Sequence, residues 1–108
     1  MHSTLIVARM ELESAAQVAR LFNEFDQSEM PHLMGTRRRQ LFSYNGLYFH
    51  LQDFDAEDGG ERIERAKTDR RFVGISEDLK PFIEAYDPLT WRSPADAMAQ
   101  RFYHWNAE

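Results

Sequence analysis

Apolar positions near the start of the chain are consecutive. Thr4 to Met10 (Thr-Leu-Ile-Val-Ala-Arg-Met) is short and β-branched near its centre, which predicts a strand. The spacing then changes. Ala15, Val18, Phe22 and Phe25 recur at helical steps with Leu21 beside them. Ser14-Ala-Ala-Gln17 fits a capping box at the head of that helix. Pro31 argues for an end by about Ser28. Residues 29–36 read as a connecting loop, apolar enough to serve as a flap over a pocket.

Arg37 to Tyr44 and Leu47 to Phe54 flank Asn45-Gly46, the preferred two-residue type I′ turn, so a hairpin is predicted. Asp55 to Glu61 is a polar loop, and a helical stretch starts near Glu61. Phe72, Ile75, Leu79, Phe82 and Ile83 repeat at helical spacing, with Pro81 inside the set demanding a kink or two consecutive helices. Asp87-Pro88 ends it, and Met98 to Asn106, rich in aromatics, reads as a last strand. No repeat, linker or low-complexity tract interrupts the chain, so a single domain over 1–108 is expected. The order β-α-β-β-α-β predicts an α+β fold, a ferredoxin-like antiparallel sheet with helices on one face.

The two-residue turn fixes a register. Tyr44 pairs with Leu47, Phe42 with Phe49, Leu41 with His50 and Arg39 with Gln52. Alternation then separates two faces. One carries Phe42, Tyr44, Leu47, Phe49 and Leu51, which predicts a core face covered by the helices. The other carries Arg37, Arg39, Leu41, Ser43, Tyr48, His50 and Gln52. That face is open to two readings, a solvated surface or a pocket wall. Arg, His, Tyr and Leu suit a pocket better than the Lys, Glu and Thr of a wet face. Arg38 points away from Arg37 and Arg39, so the arginine run is not a phosphate cradle.

Thirteen basic against 18 acidic residues give a net charge of −5, which disfavours a nucleic-acid partner. No apolar run approaches the roughly 20 residues that span a bilayer, and Met1-His2-Ser3-Thr4 has no basic leader, so no membrane and no signal peptide are expected. The absence of cysteine removes disulfides, thiolate metal sites and cysteine nucleophiles, and fits a cytoplasmic protein. His2, His32, His50 and His104 stand at no metal-binding spacing, so no metal is expected. His50 is mid-strand among polar neighbours, as suits an acid/base group and a structural histidine alike. The face of His104 is not fixed by the pattern. Asp26 lies at the border of the helix stripe, where the dipole gives a carboxylate nothing.

Taken in order, several blocks resemble one family. They are Val7-Ala8-Arg9-Met10, Phe25-Asp26, Gly35-Thr36-Arg37-Arg38-Arg39-Gln40-Leu41-Phe42, Leu47-Tyr48-Phe49-His50-Leu51 and Phe102-Tyr103-His104-Trp105. The chain is similar, over essentially its whole length, to the small aromatic polyketide cyclases of the tetracenomycin type. The resemblance implies a ferredoxin-like subunit paired into a homodimeric α+β barrel, with a pocket between sheet and helices in each subunit. It implies cofactor-free ring closure of an aromatic polyketide intermediate, and a transient contact with the polyketide synthase or its acyl carrier protein. Arg39, His50 and Asp26 match positions implicated in that family's catalysis. Phe25 departs from it, since members can carry histidine there.

Ring closure in a poly-β-ketone is an intramolecular aldol reaction followed by loss of water. A methylene between two carbonyls loses a proton, and the enolate attacks another carbonyl of the same chain. On this reading His50 moves the proton, with an unperturbed pKa of about 6.5. Arg39 stabilises the enolate or the attacked oxygen. Tyr48 donates a hydrogen bond, and Asp26 orients His50 or carries a proton. Substrate contacts are expected from Tyr48, Leu41, Ser43 and Gln52 on the same face, from Phe25, and from His32 if the 29–36 loop closes. Two other functions suit the same fold: a cofactor-free monooxygenase acting on an aromatic polyketide, and a non-catalytic chaperone of the intermediate.

Overall fold

Alternating burial along three long segments builds most of a four-stranded antiparallel sheet. In a computed structural model, residues 2–55, 61, 65–66, 68–92 and 94–107 are described. The strands are β1 (His2–Arg9), β2 (Thr36–Tyr44), β3 (Leu47–Phe54) and β4 (Glu84–Ala85), in the order β2-β3-β1-β4. The helices are α1 (Ala15–Asp26), α2 (Met30–Met34) and α3 (Arg70–Leu79). The βαββαβ order therefore holds, with its first helical connection split in two.

The hairpin forms as its turn demands. Asn45 and Gly46 both take positive φ (52° and 81°), the type I′ geometry. Tyr44 faces Leu47, Phe42 faces Phe49, Leu41 faces His50 and Arg39 faces Gln52. A register shift between Thr36 and Arg38 leaves Arg37 outside the ladder and sets Arg38 against Asp53. Arg38 Nε binds Asp53 Oδ2 at 2.9 Å, and the Ser3 hydroxyl donates to Asp53 Oδ1 at 2.6 Å.

The helices cover the face opposite to the one expected. Tyr48, His50, Gln52 and Phe54 of β3, with Thr4, Ile6 and Ala8 of β1, are buried beneath them. Phe42 is 49% and Tyr44 73% exposed on the other side. The alternation identified two faces correctly and assigned the core to the wrong one. The reason is that α1 brings its own apolar stripe. Val18, Phe22 and Phe25 fill the space over the sheet with Met30, Met34, Tyr48 and Phe54, so that face needs few aliphatic residues.

Other local expectations are corrected as well. Ser14 makes no capping bond; a 3-10 turn over Leu12–Ser14 leads the chain into α1 instead. The 29–36 segment is not a loop. Pro31 in the first turn and a left-handed Gly35 after Met34 bound a short helix. Asp69 caps α3 by accepting from the Arg71 amide at 2.8 Å. The α3 helix stops at Leu79, before Pro81, and Phe82 and Ile83 lead into β4. The fourth strand is thus Glu84–Ala85, paired with Arg9 and Ala8. Of the strand expected over 98–106, only Met98 bridges, to Ile6, and the Ala99 amide bonds the Leu5 carbonyl. Beyond it Phe102, Tyr103 and Trp105 are exposed. Their aromatic character predicted a pairing that is not found among the described residues. Most of the polar loop of 55–61 lies outside the described residues, and Glu61, where the helical stretch is expected to start, is helical.

Candidate active site

Between the covered face of the sheet and the helices lies a cavity of about 520 Å³. Its walls are mainly apolar: Phe22 and Phe25 from α1, Phe72, Ile75 and Leu79 from α3. Ser76, Glu77, Lys80, Glu84 and Arg92 add polar groups to the lining. The polar groups Arg39, Tyr48, His50 and Gln52 all come from the β2–β3 hairpin. A rigid hairpin at fixed register places these four side chains without relying on a loop.

Arg39 is the centre of a bonded cluster. Its Nε and Nη2 hold the Asp26 carboxylate at 2.9–3.1 Å. Its Nη1 reaches His50 Nε2 at 2.8 Å and Gln52 Oε1 at 3.3 Å. Gln52 in turn donates to Thr36 Oγ1 at 2.9 Å. The guanidinium lies over the Phe22 ring at 4.8 Å and the Phe25 ring at 5.6 Å. The Arg39 side chain is only 7% exposed, against 38% for that of Asp26. A buried cation is tolerable here because its donors are occupied and its planar face is covered.

A guanidinium has donors and no lone pair to offer, so His50 Nε2 must accept from it. The ring is neutral: burial, reinforced by the Arg39 cation, pushes the His50 pKa down to about 3. A neutral imidazole that accepts at Nε2 carries its proton on Nδ1. That nitrogen lies 3.3 Å from the Tyr48 hydroxyl oxygen, so His50 donates and Tyr48 accepts. Phe22 meets the His50 ring edge-on at 5.1 Å. Burial drives the Tyr48 pKa upward more than Arg39 lowers it, so the phenol stays protonated.

Four expected placements need correction. Asp26 touches Arg39 and does not orient His50; the guanidinium stands between them. His32 is exposed and outside the cavity lining, because Met30 and Met34, four apart on α2, take the inward face. Leu41 is not a lining residue either; it packs against the core cluster. Ser43, near the end of the edge strand, is exposed. His104 is exposed too. The opposite wall includes Ser76, Ile83 and Trp91, none of which the sequence marked as site residues. Ile83 was visible only as part of an apolar repeat, and Trp91 carried no periodic signal.

The chain as a whole is similar to known proteins. The sequence profile of the family described as polyketide synthesis cyclase matches residues 2–106. An uncharacterized protein of Streptomyces coelicolor is 49% identical over 106 residues, covering 97% of this chain and 95% of that protein. The protein named polyketide synthase CurG from Streptomyces cyaneus is 41% identical over 108 residues, the full length of both. Tetracenomycin F2 cyclase of Streptomyces glaucescens is 35% identical over 106 residues, covering 98% of this chain and 95% of its own. Its solved structure, described as that of a type II polyketide cyclase, superposes over 100% of both chains with a TM-score of 0.92 at 34% identity.

Proposed function

This chain belongs to the polyketide synthesis cyclase family, and on that premise we propose that it closes a ring in a type II aromatic polyketide intermediate. The reaction is an intramolecular aldol addition followed by loss of water that makes the ring aromatic, and it uses no cofactor. One observation carries the reading: a buried arginine bonded to a neutral histidine at the wall of an apolar cavity. That pair supplies the two things an enolate needs, a base and a fixed positive charge.

The steps follow from the bonds. A substrate carbonyl oxygen competes with His50 for Arg39 Nη1, and taking that donor frees the Nε2 lone pair beside the adjoining carbon. His50 removes a proton from the methylene. Its low proton affinity in the free protein has Arg39 as one cause, and the enolate's negative charge offsets that cation as the proton moves. Asp26 keeps Arg39 in place while Nη1 changes partner. The apolar walls fix one fold of a flexible chain, which is worth several kcal/mol of the barrier, about 7–11 at the upper end, and they exclude water from the reactive chain.

The acting unit is proposed to be a homodimer, an α+β barrel in which the open sheet faces meet. Phe42, Tyr44, Leu47, Phe49 and Leu51 leave an aromatic and aliphatic surface uncovered in one chain. No helix among the described residues is long and apolar enough to cross a membrane, and the cysteine-free composition suits work in the cytoplasm beside the synthase or its carrier protein.

A mass-resolved assay of the protein with an aromatic polyketide intermediate, run in air and without oxygen, tests the function. Equal product in both, isomeric with the substrate or lighter by one water, is expected. A product that gains oxygen only in air would replace the cyclase with a monooxygenase. Tight binding without turnover would leave a chaperone.

A further inference from the structure

The geometry points to Tyr48 as the proton donor to the oxygen on which charge develops as the carbon–carbon bond forms, with His50 aiming it. The inference rests on the cyclase reading and goes beyond the hydrogen bond expected of Tyr48 there, by assigning it a proton transfer and the atom that receives it.

A chain of single-valued donors and acceptors leads to it. Arg39 can only donate, so His50 Nε2 accepts. The remaining imidazole nitrogen, Nδ1, then holds the proton and points it at the Tyr48 oxygen. A phenol that accepts from His50 keeps its own proton for another partner. Among the described residues the Tyr48 hydroxyl has no second hydrogen-bond partner, although Tyr48 is 3% exposed and lines the cavity. A buried O–H with no acceptor in the protein is costly unless a ligand or water takes it. The acceptor that the chemistry provides is the attacked carbonyl oxygen, which becomes an alkoxide as the enolate adds.

The proton count closes. The methylene proton goes to His50 Nε2, and the enolate carbon bonds to the second carbonyl carbon while its oxygen takes the electron pair. Tyr48 gives its proton to that oxygen, and the imidazolium Nδ1 returns one to Tyr48. Carbon has lost one proton and oxygen has gained one. His50 is left neutral with its proton on Nε2, and exchange with water after product release restores the starting tautomer. In this scheme Tyr48 touches the substrate, whereas Arg39 acts on Tyr48 only through His50.

Two measurements test it. In the free protein, ¹⁵N spectra of labelled histidine should show His50 with a protonated Nδ1 and a bare Nε2 from pH 5 to 8. The reverse tautomer would mean that Tyr48 spends its proton on His50, and it would overturn the inference without any substrate being added. Second, fluorotyrosines of graded acidity are placed at position 48. The turnover rate should rise with phenol acidity, and Tyr48→Phe should lose on the order of 100-fold in kcat with KM little changed. A packing role would not follow phenol acidity. An active wild type with a flat fluorotyrosine series overturns the donor role alone. A wild type that turns over no polyketide overturns the cyclase reading and the donor role together, while the tautomer is still read from the spectra.

Discussion

The two faces of the sheet differ in a way that runs against a simple inside-outside rule. The face under the helices carries Arg39, Tyr48, His50 and Gln52, and the face without a cover carries Phe42, Tyr44, Leu47, Phe49 and Leu51. On the covered side, the charged and amide groups of the hairpin are tolerated because they bond one another and Asp26, although the Thr4 hydroxyl is buried without a partner among the described residues. Arg39 is held by Asp26, His50 and Gln52, and Gln52 by Thr36. On the open side, no helix among the described residues shields the apolar surface. Burial and apolarity part company here, and the proposed function gives the reason: one face does chemistry away from water, and the other packs against a second copy.

Substitutions can break each half of that contrast separately. The largest effect is expected from Arg39→Met, which removes the cation and leaves Asp26 unpaired. Its kcat/KM should fall by roughly 1,000-fold, while sedimentation shows an unchanged oligomer. Arg39→Lys should rescue little, since one ammonium cannot fork to Asp26 and still reach His50. An active Arg39→Met variant would remove the covered face from the chemistry.

On the open face, Phe49→Asp puts a charge where the second copy is proposed to pack. Dimer affinity should weaken on the order of 100-fold, read by sedimentation across a dilution series. The ¹⁵N signature of His50 should persist in the monomer, because the Arg39–His50–Tyr48 bonds lie within one chain. A variant that remains dimeric would show that the open face is covered in some other way.

His50 gives a pH test with a definite sign. Its pKa is lowered from the ordinary 6.5 to about 3 by burial and by Arg39. Between those values the unfolded chain binds a proton that the folded chain excludes. This contribution to stability is therefore full above pH 6.5 and is lost as pH falls toward 3, with a limiting slope of about 1.4 kcal/mol per pH unit. Denaturation of the wild type and His50→Asn at pH 7, 5 and 4 should show the variant losing less on acidification. Equal losses would contradict a neutral, buried His50. The smallest effect is expected for Phe25→His. The Phe25 ring lies 5.6 Å from the Arg39 guanidinium, so a change of several-fold in kcat/KM is expected, sharper below pH 6.5 where a second cation there would oppose Arg39.

Much of this was legible in the chain. Asn45-Gly46 fixed the hairpin and with it the shared face of Arg39, Tyr48, His50 and Gln52. The α1 stripe of Val18, Phe22 and Phe25 appeared where spacing put it. What alternation cannot say is which face a helix will choose, because both faces alternate with the same period. Nor does it show bonds that cross elements: Asp26 and Arg39 are 13 residues apart and meet only because the last turn of α1 comes to rest beside Arg39 of β2. The aromatic end, Phe102 to Trp105, reads as a strand by composition, but a strand needs a neighbour, and among the described residues the pairing stops at Ala99. The short helix Met30–Met34 was hidden because Pro31 suggested a break where it starts a turn.

The central claim is that the buried Arg39–His50 pair removes a proton from carbon. The most direct measurement is exchange of a β-diketone methylene in deuterated water, followed by NMR with wild type, Arg39→Met and His50→Asn. The analogue is too short to cyclise, so only the first step is read. Acceleration by the wild type that both variants abolish is the predicted result. Exchange that is unaccelerated by the wild type, or accelerated equally by all three, would contradict the account.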